Sequence, residues 1–255
     1  MILAIDVGNT NIVIGCIEGG DIRSIVRIQT NDRATEVEYA IKLKQVLELY
    51  NIDPAGFEGA IISSVVPQVT EALTLAVRDI AGLDCLVVAP GMKTGMNVRI
   101  DDPGTLAGDL VVGSVAAIAA YGAPVIVLDM GTATTMVVID KNNCYIGGAI
   151  IPGVKLSYSA LASGTSLLPD ISITPPKKAI ATNTVDSMRS GAVFGTAATI
   201  DGMVERMEKE LGYECKIVAT GGLAHSITPY CRRKIICDND LLLKGLWTLY
   251  LKNRK

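Results

Sequence analysis

The stretch ILAIDVGNTNIVIGCI (residues 2–17) returns 123 residues later as VIVLDMGTATTMVVID (125–140). Each copy is an apolar strand ending in an aspartate, followed by one apolar residue, a glycine, small hydroxyl or amide residues, and a second apolar strand. The alignment sets Asp129 on Asp6 and Gly131 on Gly8. Asp6 falls where the apolar pattern is still running. A carboxylate at the end of a buried strand costs free energy unless it is paired, hydrogen-bonded or near a cation. A turn of this kind gathers backbone N–H groups into one concave patch that suits phosphate. An acid beside phosphate is repulsive unless a cation lies between them. Asp6 is therefore a candidate magnesium ligand, directly or through water, with Thr10 or Asn11 as a hydrogen-bonding partner. A plain hairpin turn with a capping aspartate accounts for either copy alone; the repetition favours a ligand.

Outward from these copies the chain alternates strand and helix patterns. Both copies continue into a further strand, so each half opens with a β-meander. Between them the sequence predicts a helix from Thr35 to about Tyr50, signed by the Thr35/Glu38 capping pair. A strand at 59–66, a helix near 68–81, a strand at 85–89 and an apolar helix from Thr105 to Tyr121 follow. After the second copy come a helix over Thr184–Leu211, a strand at 215–220 leading into Gly221 and Gly222, and a final helix at about 239–252. The class is α/β. The repeat implies two like domains, 1–115 and 116–255, each presenting its aspartate to a shared cleft.

Composition narrows the function. With 255 residues, 49% of them hydrophobic, the chain can bury a sizeable core. Its net charge of −3 and lack of a basic stretch argue against a nucleic-acid partner. The uncharged run 110–128 is nominally long enough to cross a bilayer, but Tyr121–Gly122–Ala123–Pro124 breaks it into a helix and a core strand, so no membrane span is expected. No secretory signal is visible at the N-terminus, and a cytoplasmic protein is expected. The six cysteines lack a CxxC pair and read as reduced core thiols; His225, Cys231 and Cys237 match no common zinc spacing.

No GxxxxGK[ST] sequence occurs, which argues against a P-loop nucleotide fold. VATGGLA (218–224) is a third glycine-rich turn, suited to passing backbone beside a nucleotide's sugar or base, or else an ordinary strand-to-helix turn. Asp109 opens the otherwise apolar helix TLAGDLVVGSVAAIAAYG. It is either a partner for the helix dipole or a general base whose burial brings its pKa toward working pH.

Together DVGNTN, SSVVP (63–67), PGMKTGMNVR (90–99), DMGTATT, GGAIIPG (147–153), LAS (161–163), NTVDSMRSG (183–191) and ATGGLA resemble the type III pantothenate kinases, in order and across nearly the whole chain. The resemblance implies two domains of the actin-like ATPase (ribonuclease H-like) type in a homodimer. It implies transfer of phosphate from ATP to pantothenate, the first step of coenzyme A synthesis, with magnesium and a monovalent cation, potassium or ammonium. Residue by residue, it makes Asp6, Val7, Gly8, Asn9, Thr10, Asn11, Ile12 and Val13 the ATP phosphate loop and Thr132 a second phosphate contact. Asp129 would hold the monovalent cation, Asp109 would be the general base, and Ala107, Gly108, Asp109, Leu110 and Thr184 would meet pantothenate.

The departures lie on the acceptor side. Leu110 stands where the family usually has an arginine, Ile100 replaces a frequent tyrosine, and Gly164 follows LAS where arginine is usual. These keep open a same-fold kinase for another small hydroxylated acceptor, or a non-catalytic nucleotide-binding regulator; retention of Asp109 favours an enzyme. Arg99 or Arg189 is a candidate to fill the vacancy. In the helix from Thr184, Gly191 and Gly195 clear one face for another element, either a partner subunit at the dimer interface or a segment of the same chain.

Overall fold

The computed structural model describes residues 1–254, which fold into two compact α/β units. Unit 1 comprises residues 1–96, 101–119 and 240–254; unit 2 comprises 97–100 and 120–239. The repeat halves and the packing units thus coincide only in part. The C-terminal helix belongs to unit 1, because its apolar residues cover the strands of the first copy.

Unit 1 is built on a five-stranded sheet in the order β3-β2-β1-β4-β5. The strands are β1 (Ile2–Val7), β2 (Asn11–Glu18), β3 (Asp21–Gln29), β4 (Gly59–Ser64) and β5 (Cys85–Val87). The meander β1-β2-β3 is antiparallel, and β4 joins β1 in parallel. Every residue of β1 is buried, as expected of a central strand covered on both faces. Its odd-numbered residues Leu3, Ile5 and Val7 meet helices α1 (Glu36–Leu49) and α2 (Pro67–Ala81) through Tyr39, Leu43, Val69 and Leu73. Its even-numbered Ile2 and Ala4, with Ile61 of β4, meet α3 (Gly108–Tyr121) through Val112 and Val115, and α8 (Leu241–Asn253) through Leu243, Leu246 and Leu249. Asp6 continues that second face. The capping box at Thr35 is formed, with the Thr35 N–H donating to Glu38 Oε2 at 2.7 Å and the Glu38 N–H to Thr35 Oγ1 at 3.4 Å.

Unit 2 repeats the plan on a six-stranded sheet, β11-β10-β7-β8-β9-β6. The meander is β7 (Val125–Met130), β8 (Ala133–Ile139) and β9 (Cys144–Pro152); β10 (Lys216–Thr220) joins β7 in parallel, as β4 joins β1. Two two-residue strands, β6 (Asn97–Val98) and β11 (Ile236–Cys237), extend it at either edge. Ile126, Leu128 and Met130 pack with Ile200 and Val204 of α6 (Thr196–Leu211) and with Ala224 and Ile227 of α7 (Ala224–Ile227).

The structure changes several sequence expectations. The helix expected from Thr105 begins at Gly108, because Pro103–Thr105 form a separate 3-10 turn capped by the Asp102 carboxylate, which accepts from Gly104 N at 3.0 Å. The helix over Thr184–Leu211 is α5 (Thr184–Ser190), one π-helical turn at Gly191–Gly195, then α6. An unexpected helix, α4 (Val154–Ser163), follows β9. Gly191 admits an element of its own chain: a Cβ there would stand 2.5 Å from the Tyr158 hydroxyl of α4, whereas nothing approaches Gly195 within 4 Å. Among the described residues no helix is long and apolar enough to cross a membrane. The cysteines are free thiols, and burial pushes Cys85 and Cys231 up to about 12 and Cys215 to about 11.

Candidate active site

Asp6 is the next-to-last residue of β1, with 8% of its surface exposed. Strand pairing sets it opposite Val13 in β2 and Ser63 in β4. The turn beyond it is closed by Gly8 N–H donating to the Asn11 carbonyl at 3.0 Å. Thr30, the residue after β3, braces it from behind: its N–H donates to the Thr10 carbonyl at 3.0 Å and its hydroxyl to the Gly8 carbonyl at 2.7 Å. Three carbonyls of the turn are thereby engaged inside the fold, while Asn9, Thr10 and Asn11 are exposed at its tip and Val7 and Ile12 anchor it in the core. Turning the negative ends of those peptide dipoles inward favours an anion at the tip.

The second turn has the same chemistry in a tighter form. Gly131 N–H donates to the Ala133 carbonyl at 3.0 Å, and Gly153 N–H to the Thr132 carbonyl at 3.1 Å. Ile2 pairs with Ile17 but Val125 with Ile139, so this hairpin is one residue shorter. Asp129 lies opposite Thr220 at the end of β10. Gly221 follows with a φ of +94°, and a Cβ there would stand 2.6 Å from Met130 N and 2.7 Å from Asp129 Oδ1. Only glycine lets the backbone take that φ and pass so close to the acid. The third glycine-rich turn of the sequence is thus built against the second aspartate.

Asp109 lies in the first turn of α3, half-buried among apolar residues. Burial is the larger influence and raises its carboxyl above the ordinary value of 3.8; the N–H of Leu110, donating to Oδ1 at 2.8 Å, pulls the other way. A carboxyl so placed takes up a proton more readily than an exposed one, which is what a general base for an alcohol requires. Ala107, Gly108 and Leu110 flank it and are themselves half-buried. Unit 1 therefore brings together Asp6–Val13 and Ala107–Leu110.

Asp129, Thr132 and Thr184 belong to unit 2, with Thr184 exposed as the first residue of α5 behind the N-cap Asn183. The arginines expected to stand in for a missing one are engaged within unit 2. Arg189 holds Asp186 at 3.4 Å and donates to Ser172 Oγ at 3.2 Å. The Arg99 guanidinium lies close enough to Asp140 to help hold that carboxyl below its usual range, chiefly the work of the Cys144 and Asn142 N–H groups. Gly164 is the exposed C-cap of α4. Among the described residues no group of three or more His, Cys, Asp or Glu side chains is placed to hold a metal by itself.

Sequence reasoning missed Thr30, Ser63 and Thr220. Ser63 and Thr220 end apolar strands in hydroxyls, a visible signal, but their alignment with Asp6 and Asp129 exists only once the parallel register is known.

Known proteins resemble this chain in sequence and in fold. The family model described as type III pantothenate kinase matches residues 2–206. A type III pantothenate kinase of Bifidobacterium animalis subsp. lactis (strain AD011) is 41% identical over 253 residues, covering 99% of this chain and all of the relative. Among solved structures, a putative Baf family transcriptional activator from Campylobacter jejuni superposes with a TM-score of 0.56 at 20% identity, covering 98% of each chain. Component A of the (R)-2-hydroxyglutaryl-CoA dehydratase of Acidaminococcus fermentans does so with 0.57 at 14%, covering 98% of this chain and 96% of that one. Those two likenesses speak for the fold. The family match and the 41% identical relative, each spanning most of the sequence, carry the assignment: the chain belongs to the type III pantothenate kinase family.

Proposed function

We propose that the chain transfers the γ-phosphoryl group of ATP to the primary hydroxyl of pantothenate, opening coenzyme A synthesis in the cytoplasm. The observation that carries this is Asp109: a carboxyl with a raised proton affinity, set in the first turn of α3 in the unit that also holds the Asp6 turn. Asp109 takes the proton of the acceptor hydroxyl as its oxygen bonds to the γ-phosphorus. The bond from that phosphorus to the β,γ-bridging oxygen breaks, and ADP leaves. The amides and side chains of Asp6 to Val13 hold phosphate oxygens, and Thr132 adds a second contact. Ala107, Gly108, Leu110 and Thr184 line the acceptor's place.

The donor set fits the cations of such a reaction. A single carboxylate beside an anion-binding turn suits magnesium, which takes one or two protein oxygens and completes its shell with phosphate and water. Asp6 would be that ligand. Asp129, with Gly221 backbone crowding its Oδ1, suits a weakly hydrated monovalent ion, potassium or ammonium. When bound, such cations would supply positive charge against the charge developing on the transferred group. The protein works as a homodimer, as its family resemblance implies.

A second acceptor is worth testing because Leu110 cannot grip a carboxylate as arginine does. The experiment is a screen of ATP-dependent phosphorylation over pantothenate and related hydroxy acids, with and without potassium, with product masses measured. Phosphopantothenate as the best product, at a potassium-dependent rate, supports the proposal. A different acceptor turned over far faster would replace pantothenate, and ATP binding without transfer to any of them would favour a regulator.

A further inference from the structure

The second face of β1 carries Ile2, Ala4 and Asp6, and the same face of β4 carries Ile61 and Ser63. The apolar members pack under Val112 and Val115 of α3. The two polar members, paired in register, lie at the ends of their strands, where α3 begins. Ser63 is fully buried, and its Oγ has no hydrogen-bond partner among the described residues. It nevertheless reaches the helix: a Cβ on Gly108, the first residue of α3, would stand 3.5 Å from that Oγ. Asp109 is the next residue, and its Oδ1 accepts the local N–H of Leu110, leaving acceptor capacity on Oδ2.

A buried hydroxyl without a partner is costly and is uncommon in folded proteins. Unit 2 also sets a buried hydroxyl residue in this register place: Thr220, 3% exposed, lies beside Asp129. We propose that Ser63 is a positioning residue for the phosphoryl transfer: with nucleotide and acceptor bound, its hydroxyl donates to the Asp109 carboxylate, directly or through one water, and aims it at the acceptor hydroxyl. Ser63 does not touch the substrate and acts through Asp109, so the inference rests on Asp109 being the base.

Ser63→Ala removes the donor without removing any hydrogen bond among the described residues. The expected result is a fall in kcat of about tenfold, the size of one well-formed hydrogen bond, with KM for ATP and pantothenate within twofold. The melting temperature of the ligand-free protein should be unchanged or higher. A kcat within twofold of the parent overturns the proposal, and so does a loss of kcat accompanied by a lower melting temperature, which makes the hydroxyl a packing element. Ser63→Cys, nearly the same size but a weak donor, is measured by the same criteria should the alanine variant fail to fold. Asp109→Asn separates the two levels: full turnover in that variant removes the base assignment itself, whatever Ser63→Ala does. If Asp109→Asn retains only residual turnover, adding Ser63→Ala should cost nothing further, since a residue acting through another is silent once its target is gone.

Discussion

The Asp6 turn and the Asp129 turn are two versions of one device, and they differ in what has been built over the acid. In unit 1 the hairpin is one residue longer, Asp6 is almost covered, and the face it shares with Ser63 runs under the N-terminus of α3, which carries Asp109. In unit 2 the hairpin is tighter, Asp129 is half-exposed, and the element pressed against it is the backbone of Gly221 rather than a helix. One layout thus supports two kinds of neighbour. In the function proposed above, the helix N-terminus with its carboxyl would supply proton chemistry, and the close-passing backbone would supply shape and carbonyl or amide dipoles. The duplication explains the strand-Asp-turn pattern, and the covering elements explain why the copies are not interchangeable.

The contrast is broken most severely at the glycines. Gly221→Ala places a methyl within 2.6–2.7 Å of Met130 N and Asp129 Oδ1 at a φ of +94°. Overpacking and a strained left-handed residue together cost roughly 3–5 kcal/mol. In the first copy, Gly8→Ala meets only the Asn11 carbonyl, at 3.2 Å, without a positive φ. Urea unfolding should show Gly221→Ala losing most of its stability while Gly8→Ala loses about 1 kcal/mol. Equal losses would mean that the two turns are constrained alike.

Asp109→Asn tests what α3 adds to the first copy. Loss of a general base costs on the order of a hundredfold or more in kcat, and ATP affinity measured by calorimetry should hardly change. The pH dependence carries a sign. Burial raises the Asp109 carboxyl, so the folded chain keeps that proton to higher pH than the unfolded chain does. The site's contribution to stability therefore falls as pH rises from the ordinary value of 3.8 to the raised folded one. Above that window the parent bears the cost and the asparagine variant does not. The variant should melt at the same or a higher temperature at neutral pH, and turnover of the parent should fail as pH drops through the same window.

Asp6→Asn and Asp129→Asn compare the acids directly. If each acid holds the cation proposed for it, its loss should cost roughly 1.5–3 kcal/mol, about tenfold to a hundredfold in turnover. Rising magnesium should partly rescue the first variant and rising potassium the second. Rescue of both by the same ion would show that the two acids serve one metal.

What is legible in the sequence depends on the range of each signal. The Thr35–Glu38 cap, the two meanders and the long helix from Thr184 are written in residues close along the chain, and they can be read there. Strands β6 and β11, two residues each, exist only because β9 and β10 offer edges to pair with, and nothing within them announces it. Gly191 has a visible spacing to Gly195, but what fills its open face, Tyr158, comes from a helix the sequence pattern does not signal. In the site, Asp6, Asp129 and Asp109 stand out because acids interrupt apolar runs. Ser63 also breaks an apolar run, but two adjacent serines at a strand end read as an ordinary turn; the meaning of Ser63 comes from register with Asp6 and from the helix above it.

The smallest expected effect returns to α3. Leu110 follows Asp109 and is half-buried, so an arginine there has room to send its head toward solvent or a ligand. If pantothenate's carboxylate lies beside this turn, Leu110→Arg should lower KM for pantothenate by about tenfold, the lower end of what a charge-assisted bond gives. KM for ATP should stay put. The same guanidinium would stabilise the Asp109 carboxylate, so the acidic limb of the turnover profile should move to lower pH. These two readouts need not travel together. A shifted limb with an unchanged KM would place the new charge next to the base but away from the acceptor's carboxylate. The acceptor's anionic end would then be gripped by other residues, and the leucine would be part of a pocket reshaped around a different contact.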